Sequence, residues 1–445
     1  MLLVLRHRTY RRLFAAQAIA LVGTGLTTVA LGLLAYDIAG ADAGSVLGTA
    51  LAIKMVAYVL IAPAVGAVAG RLPRRALLVG ADLIRAGAAL MLPFIDQVWQ
   101  VYVLILVLQA ASAAFMPVFQ AAIPDVLPDE RDYTRALSLS RLAYDLESLA
   151  SPALAAALLS VMTYNWLFTG TVIGFLGSAA LVVSAVLPQA AVSPREGGLC
   201  TRATAGARLF FAVRRLRALL ALDLAVAAAG AVVLVNTVVY VRDHLGRSAG
   251  DVALALGAYG AGSMAVALVL PRVLDRVSDR AVMLRGALLI ALVFAGLAAL
   301  TAARTGDWRW PALLVAWASF GAASSMVLTP AGRLLRRSSR PADRTELFAA
   351  QFSLSHACWL LAYPLAGWLG ATAGLQSAVI ALGVTAGAAG AVAMRVWPAH
   401  DMERAVHVHT GLDAGHPHVT DAVPVPGGWR HSHDLVADPL HAPAH

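Results

Sequence analysis

Two acidic residues, Asp145 and Glu147, lie in a hydrophobic stretch that also contains Arg141 and Tyr144. A carboxylate in such surroundings is costly, and it can bind a proton or a cation, so a functional role is the first interpretation. On a helix Arg141 and Asp145 share one face, whereas Tyr144 and Glu147 lie on nearly the opposite face. We therefore expect only one of the two acids to face a central cavity. The alternative is that Arg141 and Asp145 neutralise each other as a structural pair.

Two further titratable residues lie in hydrophobic stretches. Lys54 is the only lysine of the chain, and a buried ammonium needs a partner or loses its proton. His356 is the only histidine that we place within a hydrophobic stretch, where an imidazole can carry a proton or bind a metal ion. The alternative for His356 is a structural role with its hydrogen bonds satisfied.

Twelve hydrophobic stretches of membrane-spanning length must position these residues. Of the 445 residues 60% are hydrophobic and only 13% are charged, which is far from the composition of a soluble protein. The sequence therefore predicts an all-α membrane protein with twelve transmembrane helices. The predicted spans are residues 13–39, 45–69, 76–95, 98–123, 135–161, 164–187, 218–241, 252–273, 282–302, 310–334, 347–369 and 371–396.

The formal net charge is +9, and the distribution of the basic residues shows what this charge means. Most of the 34 Lys and Arg fall on the side that carries both termini, whereas the opposite loops hold only Arg242, Arg247, Arg304 and Arg309. By the positive-inside rule both termini are cytoplasmic. The charge thus reports topology, and no nucleic-acid partner is expected.

The two halves of the chain look like repeats. Pro117 precedes Pro330 by 213 residues, and Pro152 precedes Pro364 by 212. We predict a six-helix bundle in residues 1–187, a cytoplasmic linker in 188–217, a second six-helix bundle in 218–398 and a tail in 399–445. In this register Tyr144 corresponds to His356, which places the imidazole at about the depth of Asp145.

Polar residues inside other spans are candidates to line a cavity between the halves. Four of them in the fourth span recur at i, i+3, i+7 and i+11, which is one helix face. Such residues can equally bond neighbouring helices, and methionine more often packs than binds. The candidates are Gln17, Thr24, Gln109, Ser112, Met116, Gln120 and Asn236.

The tail contains nine of the twelve histidines and no apolar period. Pro, Gly and Asp lie between these histidines, so we expect a disordered cytoplasmic arm. The two imidazoles of a His-x-His pair point the same way in an extended chain, which suits chelation of Ni²⁺, Zn²⁺, Co²⁺ or Cu²⁺. A merely soluble tail is the alternative. The pairs are His407 with His409, His416 with His418, and His431 with His433.

The loops after the second and eighth spans resemble the paired basic loops of the major facilitator superfamily. The first copy has Gly70 and Pro73 where an aspartate and a glycine are usual, whereas the second copy keeps Asp275. The resemblance implies two pseudo-symmetric six-helix bundles, with the second helix near the eleventh and the fifth near the eighth. It also implies a latch for one conformation, weaker in the first copy unless Asp82 and Arg85 support it. The other latch residues are Arg71, Arg75, Arg276 and Arg280.

More narrowly, the stretch from Arg141 to Pro152, the stretch from Ser355 to Trp359 and the histidine-rich end resemble the bacterial nickel-resistance exporters of that superfamily. This resemblance implies a monomeric, proton-coupled exporter of Ni²⁺ or Co²⁺ in the inner membrane, with Asp145 or Glu147 and His356 exchanging the ion for protons. An exporter of an organic solute, such as a drug, siderophore or metal chelate, is the main alternative, and a metal sensor without transport is another. No enzymatic motif is recognisable, and no cofactor is expected.

Overall fold

Twelve long helices form the body of the protein. The computed structural model describes residues 2–39, 43–69, 72–188, 203–303, 305–397, 404–409 and 422–434. A 3-10 turn (Leu2–Arg6) precedes the first helix, and short 3-10 turns at Leu92–Phe94 and Pro341–Asp343 lie in two connections. The long helices are α1 (Arg8–Ala39), α2 (Ala43–Ala69), α3 (Arg74–Met91), α4 (Val98–Val126), α5 (Glu130–Leu159), α6 (Asn165–Ser184), α7 (Arg214–Val238), α8 (Ala249–Leu274), α9 (Asp279–Ala302), α10 (Arg309–Arg337), α11 (Arg344–Thr372) and α12 (Leu375–Val396).

These helices match the twelve predicted spans. Ten are long and apolar enough to cross a membrane, and α5 is the eleventh if its segments Glu130–Ser148 and Ala153–Leu159, which meet at a 42° bend, form one span. Pro152 lies at this bend and has no amide hydrogen for the helix ladder. The remaining helix, α11, is as long as α10, at 29 residues. Its polar residues, including Arg344, Glu346 and His356, lower its hydropathy.

The two halves repeat the same helix contacts. In the first half α1 packs on α5 and α6, and α3 packs on α4 and α6; in the second half α7 packs on α11 and α12, and α9 packs on α10 and α12. The halves meet where α2 contacts α11 and where α5 contacts α8, with further contacts of α4 to α11 and α5 to α10. These are the neighbours that the resemblance implied, and the arrangement is that of parallel structural repeats.

Small residues allow the closest helix crossing, between α8 and α10. A Cβ at Gly262 would overlap the carbonyl oxygen of Ala318, and one at Gly321 would overlap that of Tyr259. Close backbone approach through small residues is typical of helix packing in membranes.

The interior and the outer surface are both apolar. Trp317 and Phe320 are fully buried in the second half, and the Trp317 indole donates a hydrogen bond to Thr237 at 2.7 Å. Large apolar side chains such as Leu60 and Leu361 are instead exposed on the outside of the bundle. An exposed apolar surface of this extent is suited to contact with lipid.

One end of the bundle is called the basic end here. It is where α1 begins, where α4 connects to α5 and where α10 connects to α11. By the charge asymmetry of the loops it is predicted to be cytoplasmic. The exposed Trp99, Trp166 and Trp308 lie at the opposite end, at the starts of even-numbered helices.

The linker and the tail contain secondary structure of their own. A short helix, Ala205–Ala212, lies in the predicted linker and packs on α11. In the tail, strands β1 (Arg404–His409), β2 (Val423–Val425) and β3 (Gly428–Asp434) form an antiparallel sheet in the order β1-β3-β2. The prediction of a disordered tail is therefore wrong for these segments. Val406, Val408, Val423 and Val425 favour strands, and Pro426 with Gly427, which has a positive φ, makes the tight turn between β2 and β3.

Candidate transport site

A cluster of polar and aromatic side chains lies where α2 and α4 of the first half face α11 of the second half. At its centre the Tyr58 hydroxyl donates a hydrogen bond to the Gln109 side-chain oxygen at 2.9 Å. The Tyr58 ring lies 4.7 Å from the ring of His356 and 5.0 Å from that of Phe352, both on α11. Tyr58 thus connects the two halves of the protein near the middle of the helices.

Lys54 provides the positive charge of this cluster. Its ammonium lies 5.7 Å from the centre of the Tyr58 ring, within the range of a cation–π interaction. Lys54 therefore belongs to the same cluster as Tyr58 and the two rings of α11.

Glu147 lies on the face of α5 that packs on α1. The Ser151 hydroxyl donates to the Glu147 carboxylate at 3.4 Å. Gly25 of α1 makes room for both side chains, because a Cβ there would overlap the Ser151 hydroxyl and lie 2.7 Å from the Glu147 oxygen.

Asp145 lies on another face of α5 and is engaged by Arg141. The two charged groups are 2.9 Å apart, and Asp145 is only 5% exposed. Arg141 also donates to the Ser263 hydroxyl of α8 at 3.0 Å. This geometry is that of the structural pair considered as an alternative above, with the addition that Arg141 connects α5 to the second half.

The remaining candidate lining residues divide into two groups. Two of them join helices of the first half: Gln17 accepts from Ser140 at 3.0 Å, and Met116 accepts from Tyr144 at 3.4 Å. The others bond within their own helix or half, or have no described partner. Thr24 donates to the Ala20 carbonyl, Ser112 to that of Leu108 and Asn236 to that of Ala366, and Gln120 is half-buried on α4.

The predicted ion pathway through Asp145, Glu147 and His356 stays a prediction, and each of these side chains has its own described partner. Nδ1 of His356 lies 2.6 Å from the Phe352 carbonyl, and since a carbonyl only accepts, this nitrogen carries the proton. Within the described residues no three His, Cys, Asp or Glu side chains form a group able to hold a metal ion. The predicted tail pair of His416 and His418 lies outside the described residues.

A network of ion pairs holds the two halves together at the basic end. Glu130 of α5 lies 2.9 Å from Arg333 of α10 and also pairs with Arg337. Asp279 of α9 lies 3.3 Å from Arg333 and 3.2 Å from Arg337. These residues form a closed contact between the halves, named here the arginine latch.

A second link of the arginine latch joins α4 to α11. Asp125 at the end of α4 pairs with Arg344 at the start of α11, and it also lies 2.6 Å from Arg74 of α3. In addition, Arg333 donates to the Thr134 hydroxyl at 2.8 Å. The structure therefore shows the conformation in which the basic end is closed.

The predicted latch residues contribute less to this closure than expected. Asp82 and Arg85 pair inside the first half, where Ser178 donates to Asp82 and the Arg85 guanidinium lies between the rings of Phe115 and Phe175. Their part in the latch stays a prediction, and in this conformation the pair is buried on the α3–α6 side of the first half. The other predicted residues lie at the rim of the basic end. Arg75 donates a hydrogen bond to the Ala185 carbonyl, and Arg280 donates one to the Trp397 carbonyl. Asp275 lies 3.8 Å from Arg131. Arg276 is exposed, and Arg71 lies outside the described residues.

Comparison with known proteins identifies the family. The sequence profile of the Major Facilitator Superfamily matches residues 13–240 and again residues 218–431. The chain belongs to this superfamily. Members of the Major Facilitator Superfamily are multi-pass membrane transporters.

Individual relatives of this superfamily member are distant. It is 26% identical over 182 residues to macrolide efflux protein A of Streptococcus pyogenes, covering 40% of this chain and 44% of that protein. The chain thus spans less than half the length of this curated relative. Among solved structures, the human organic anion transporter MFSD10 superposes with a TM-score of 0.74 at 14% identity, covering 87% of this chain and 99% of the other. A bacterial homologue of the iron transporter ferroportin, in its outward-facing state, gives 0.71 at 13% identity, covering 87% and 99%.

Several residues that take part in the contacts described above were not predicted from the sequence of this superfamily member. The repeat offset of 213 also aligns Pro128-Asp129-Glu130-Arg131 with Pro341-Ala342-Asp343-Arg344, a signal that could have located the arginine latch. Asp223 of α7 is 2% exposed and accepts from Gln351 at 2.8 Å. Its position inside a predicted span was the available signal. Tyr58 carried no such signal, because tyrosine is common in apolar helices.

Proposed function

We propose that this protein is an efflux transporter of an organic, amphipathic solute, which moves between the two halves by alternating access. The observation that carries the proposal is the composition of the central cluster. Aromatic rings, an amide and hydroxyl groups surround a single ammonium where α2 and α4 face α11. Aromatic and apolar walls with a few polar groups are typical of sites for organic ligands.

The same cluster is poorly suited to the alternative cargo, a hydrated Ni²⁺ or Co²⁺ ion. Such an ion needs several imidazole or carboxylate ligands to replace its water. Here Lys54 lies beside the Tyr58 ring, and the positive charge of its ammonium repels a divalent cation. The likeness to macrolide efflux protein A also favours an organic cargo.

In this proposal Glu147 couples transport to protons. Asp145 is fixed by Arg141, whereas the described partner of Glu147 is the neutral Ser151 hydroxyl. Gain or loss of a proton on Glu147 would change the charge inside the bundle and would favour one conformation over the other. With both termini in the cytoplasm, the state described here is closed to the cytoplasm.

Growth assays of an expressing strain test the cargo. We expect increased tolerance of macrolides, dyes or other amphipathic compounds, and unchanged tolerance of nickel and cobalt salts. Tyr58→Phe, which removes the hydrogen bond to Gln109, should narrow the range of tolerated compounds, and Tyr36→Phe on the exposed surface of α1 is the matched control. Tolerance of nickel or cobalt without any effect on organic compounds would disprove the organic cargo.

We also propose that the tail sheet binds a divalent transition metal outside the transport path. The register places His407 directly opposite His431, and His409 and His433 two residues further along their strands. The register therefore brings the His-x-His stretches of β1 and β3 alongside each other, a more specific arrangement than separate pairs on an extended arm.

A further inference from the structure

A cavity at the basic end is lined mainly by arginines. It measures about 220 Å³ and lies between the halves, next to the arginine latch. A water molecule takes up about 30 Å³ of liquid, so a small hydrated anion fits. The lining residues are Glu130, Tyr133, Arg333, Arg336, Arg337, Ser339 and Arg344.

The charges around this cavity are not balanced. Four guanidinium groups line it with a single carboxylate, Glu130. Asp279 and Asp125 lie behind the lining and add two negative charges, but Asp125 also pairs with a fifth guanidinium, that of Arg74. Five positive charges thus face three negative ones, and Arg336 and Arg344 repel each other.

Polar atoms of the lining also lack partners within the described part of the chain. Tyr133 is 0% exposed, and its hydroxyl has no hydrogen-bond partner. One terminal nitrogen of Arg336 and Nε of Arg344 are likewise buried without a partner. Buried donors of this kind are costly unless a ligand or water satisfies them. Tyr133, Arg336 and Arg344 line the same cavity, and the Arg336 guanidinium lies 5.3 Å from the centre of the Tyr133 ring, so these donors lie close together.

We propose that this cavity is a binding site for a phosphate-type oxyanion that regulates transport. A tetrahedral oxyanion offers several acceptor oxygens, which suits converging guanidinium and hydroxyl donors. Free phosphate and the phosphate of a lipid headgroup share this chemistry. The site is independent of the cargo proposed above.

Binding at this site would favour one conformation. Glu130 and Tyr133 belong to α5 in the first half, whereas the arginines belong to α10 and α11 in the second. The cavity exists only while the halves are in contact at the basic end. A ligand that binds one conformation shifts the population towards it, so the anion holds the basic end closed and slows transport.

Thermal unfolding of the purified full-length protein in micelles of a detergent without phosphate groups tests the site. We expect inorganic phosphate to raise the Tm more than chloride does at equal ionic strength. Tyr133→Phe should weaken the apparent affinity for phosphate about tenfold, and Arg336→Gln at least as much. Arg395→Gln removes an exposed arginine from the same end, outside the cavity, and should bind phosphate like the wild type.

A second arm of the experiment identifies the source of the anion. Nanodiscs that contain an anionic phospholipid, without added phosphate, should raise the Tm in a Tyr133-dependent way if a headgroup fills the site. If only free phosphate does so, the ligand is a soluble anion. Equal effects of phosphate and chloride, with no effect of anionic lipid, would overturn the proposal, as would wild-type affinity in Tyr133→Phe. If Arg336→Gln does not fold, Tyr133→Phe still decides the question.

Discussion

At the scale of single residues, the two acids of α5 differ in what surrounds them. Asp145 has a charged partner one helical turn away, while Glu147 accepts a hydrogen bond from the neutral hydroxyl of Ser151. A charge held by a close partner contributes to structure, whereas a carboxylate that can gain and lose a proton can contribute to coupling.

This difference predicts opposite effects of two isosteric substitutions. Glu147→Gln removes the titratable group and keeps the shape, so we expect transport driven by a pH gradient to be lost while the Tm stays near that of the wild type. Asp145→Asn leaves Arg141 without its carboxylate partner and should destabilise the protein by about 1–3 kcal/mol. The protein that still folds should keep the response of transport to pH. Flux measurements in proteoliposomes together with thermal unfolding separate the two effects. A pH response in Glu147→Gln equal to that of the wild type would contradict this assignment.

At the scale of helices, the arginine latch joins α10 to α5 and α9 through a few side chains. Arg333 contacts Glu130, Asp279 and Thr134, so its removal weakens both sides of the contact at once. We expect Arg333→Gln to shift the population towards a conformation that is open at the basic end, and to increase the labelling of cysteines introduced on that face of α10. Arg272→Gln is the matched control, because Arg272 is exposed at the same end of α8. Unchanged labelling in Arg333→Gln would show that packing, rather than the ion pairs, keeps the end closed.

The α8–α10 crossing gives a second prediction at this scale. Gly262→Ala places a methyl group against the Ala318 carbonyl, and such overpacking costs about 1–3 kcal/mol. Gly257→Ala is made on the same helix at a position where a Cβ meets nothing within 4 Å, so it should leave the stability unchanged or raise it slightly. Thermal unfolding of the two variants compares them directly, and equal losses of stability would contradict the close crossing.

At the scale of the whole molecule, the tail is separate from the twelve helices in both composition and structure. We expect deletion of residues 399–445 to leave export of the organic cargo unchanged and to abolish binding of Zn²⁺ or Ni²⁺ to the purified protein. Within the full chain, the double variant His407→Ala with His431→Ala should lose more affinity than His416→Ala with His418→Ala, because the register pairs His407 with His431 across β1 and β3. Isothermal titration with each metal gives the comparison, and equal losses would favour independent pairs over a site formed by the paired strands.

Much of this architecture could be predicted from the sequence alone. Hydrophobicity is a property of each stretch by itself. The twelve spans, the linker near residue 200 and the histidine-rich end could therefore be predicted from the sequence. The duplicated prolines indicated two similar halves for the same reason. The tail strands were missed because the few valines there were outweighed by Pro, Gly and His.

The roles of individual charges were decided only by the tertiary structure. Whether Asp145 or Glu147 is engaged depends on Arg141, Ser263 and Gly25, two of which lie on other helices. The arginine latch and its cavity form where α5, α10 and α11 converge from positions about 200 residues apart in the chain. The energy of a charge depends on its nearest partners and on burial, and both are set when the two halves pack together.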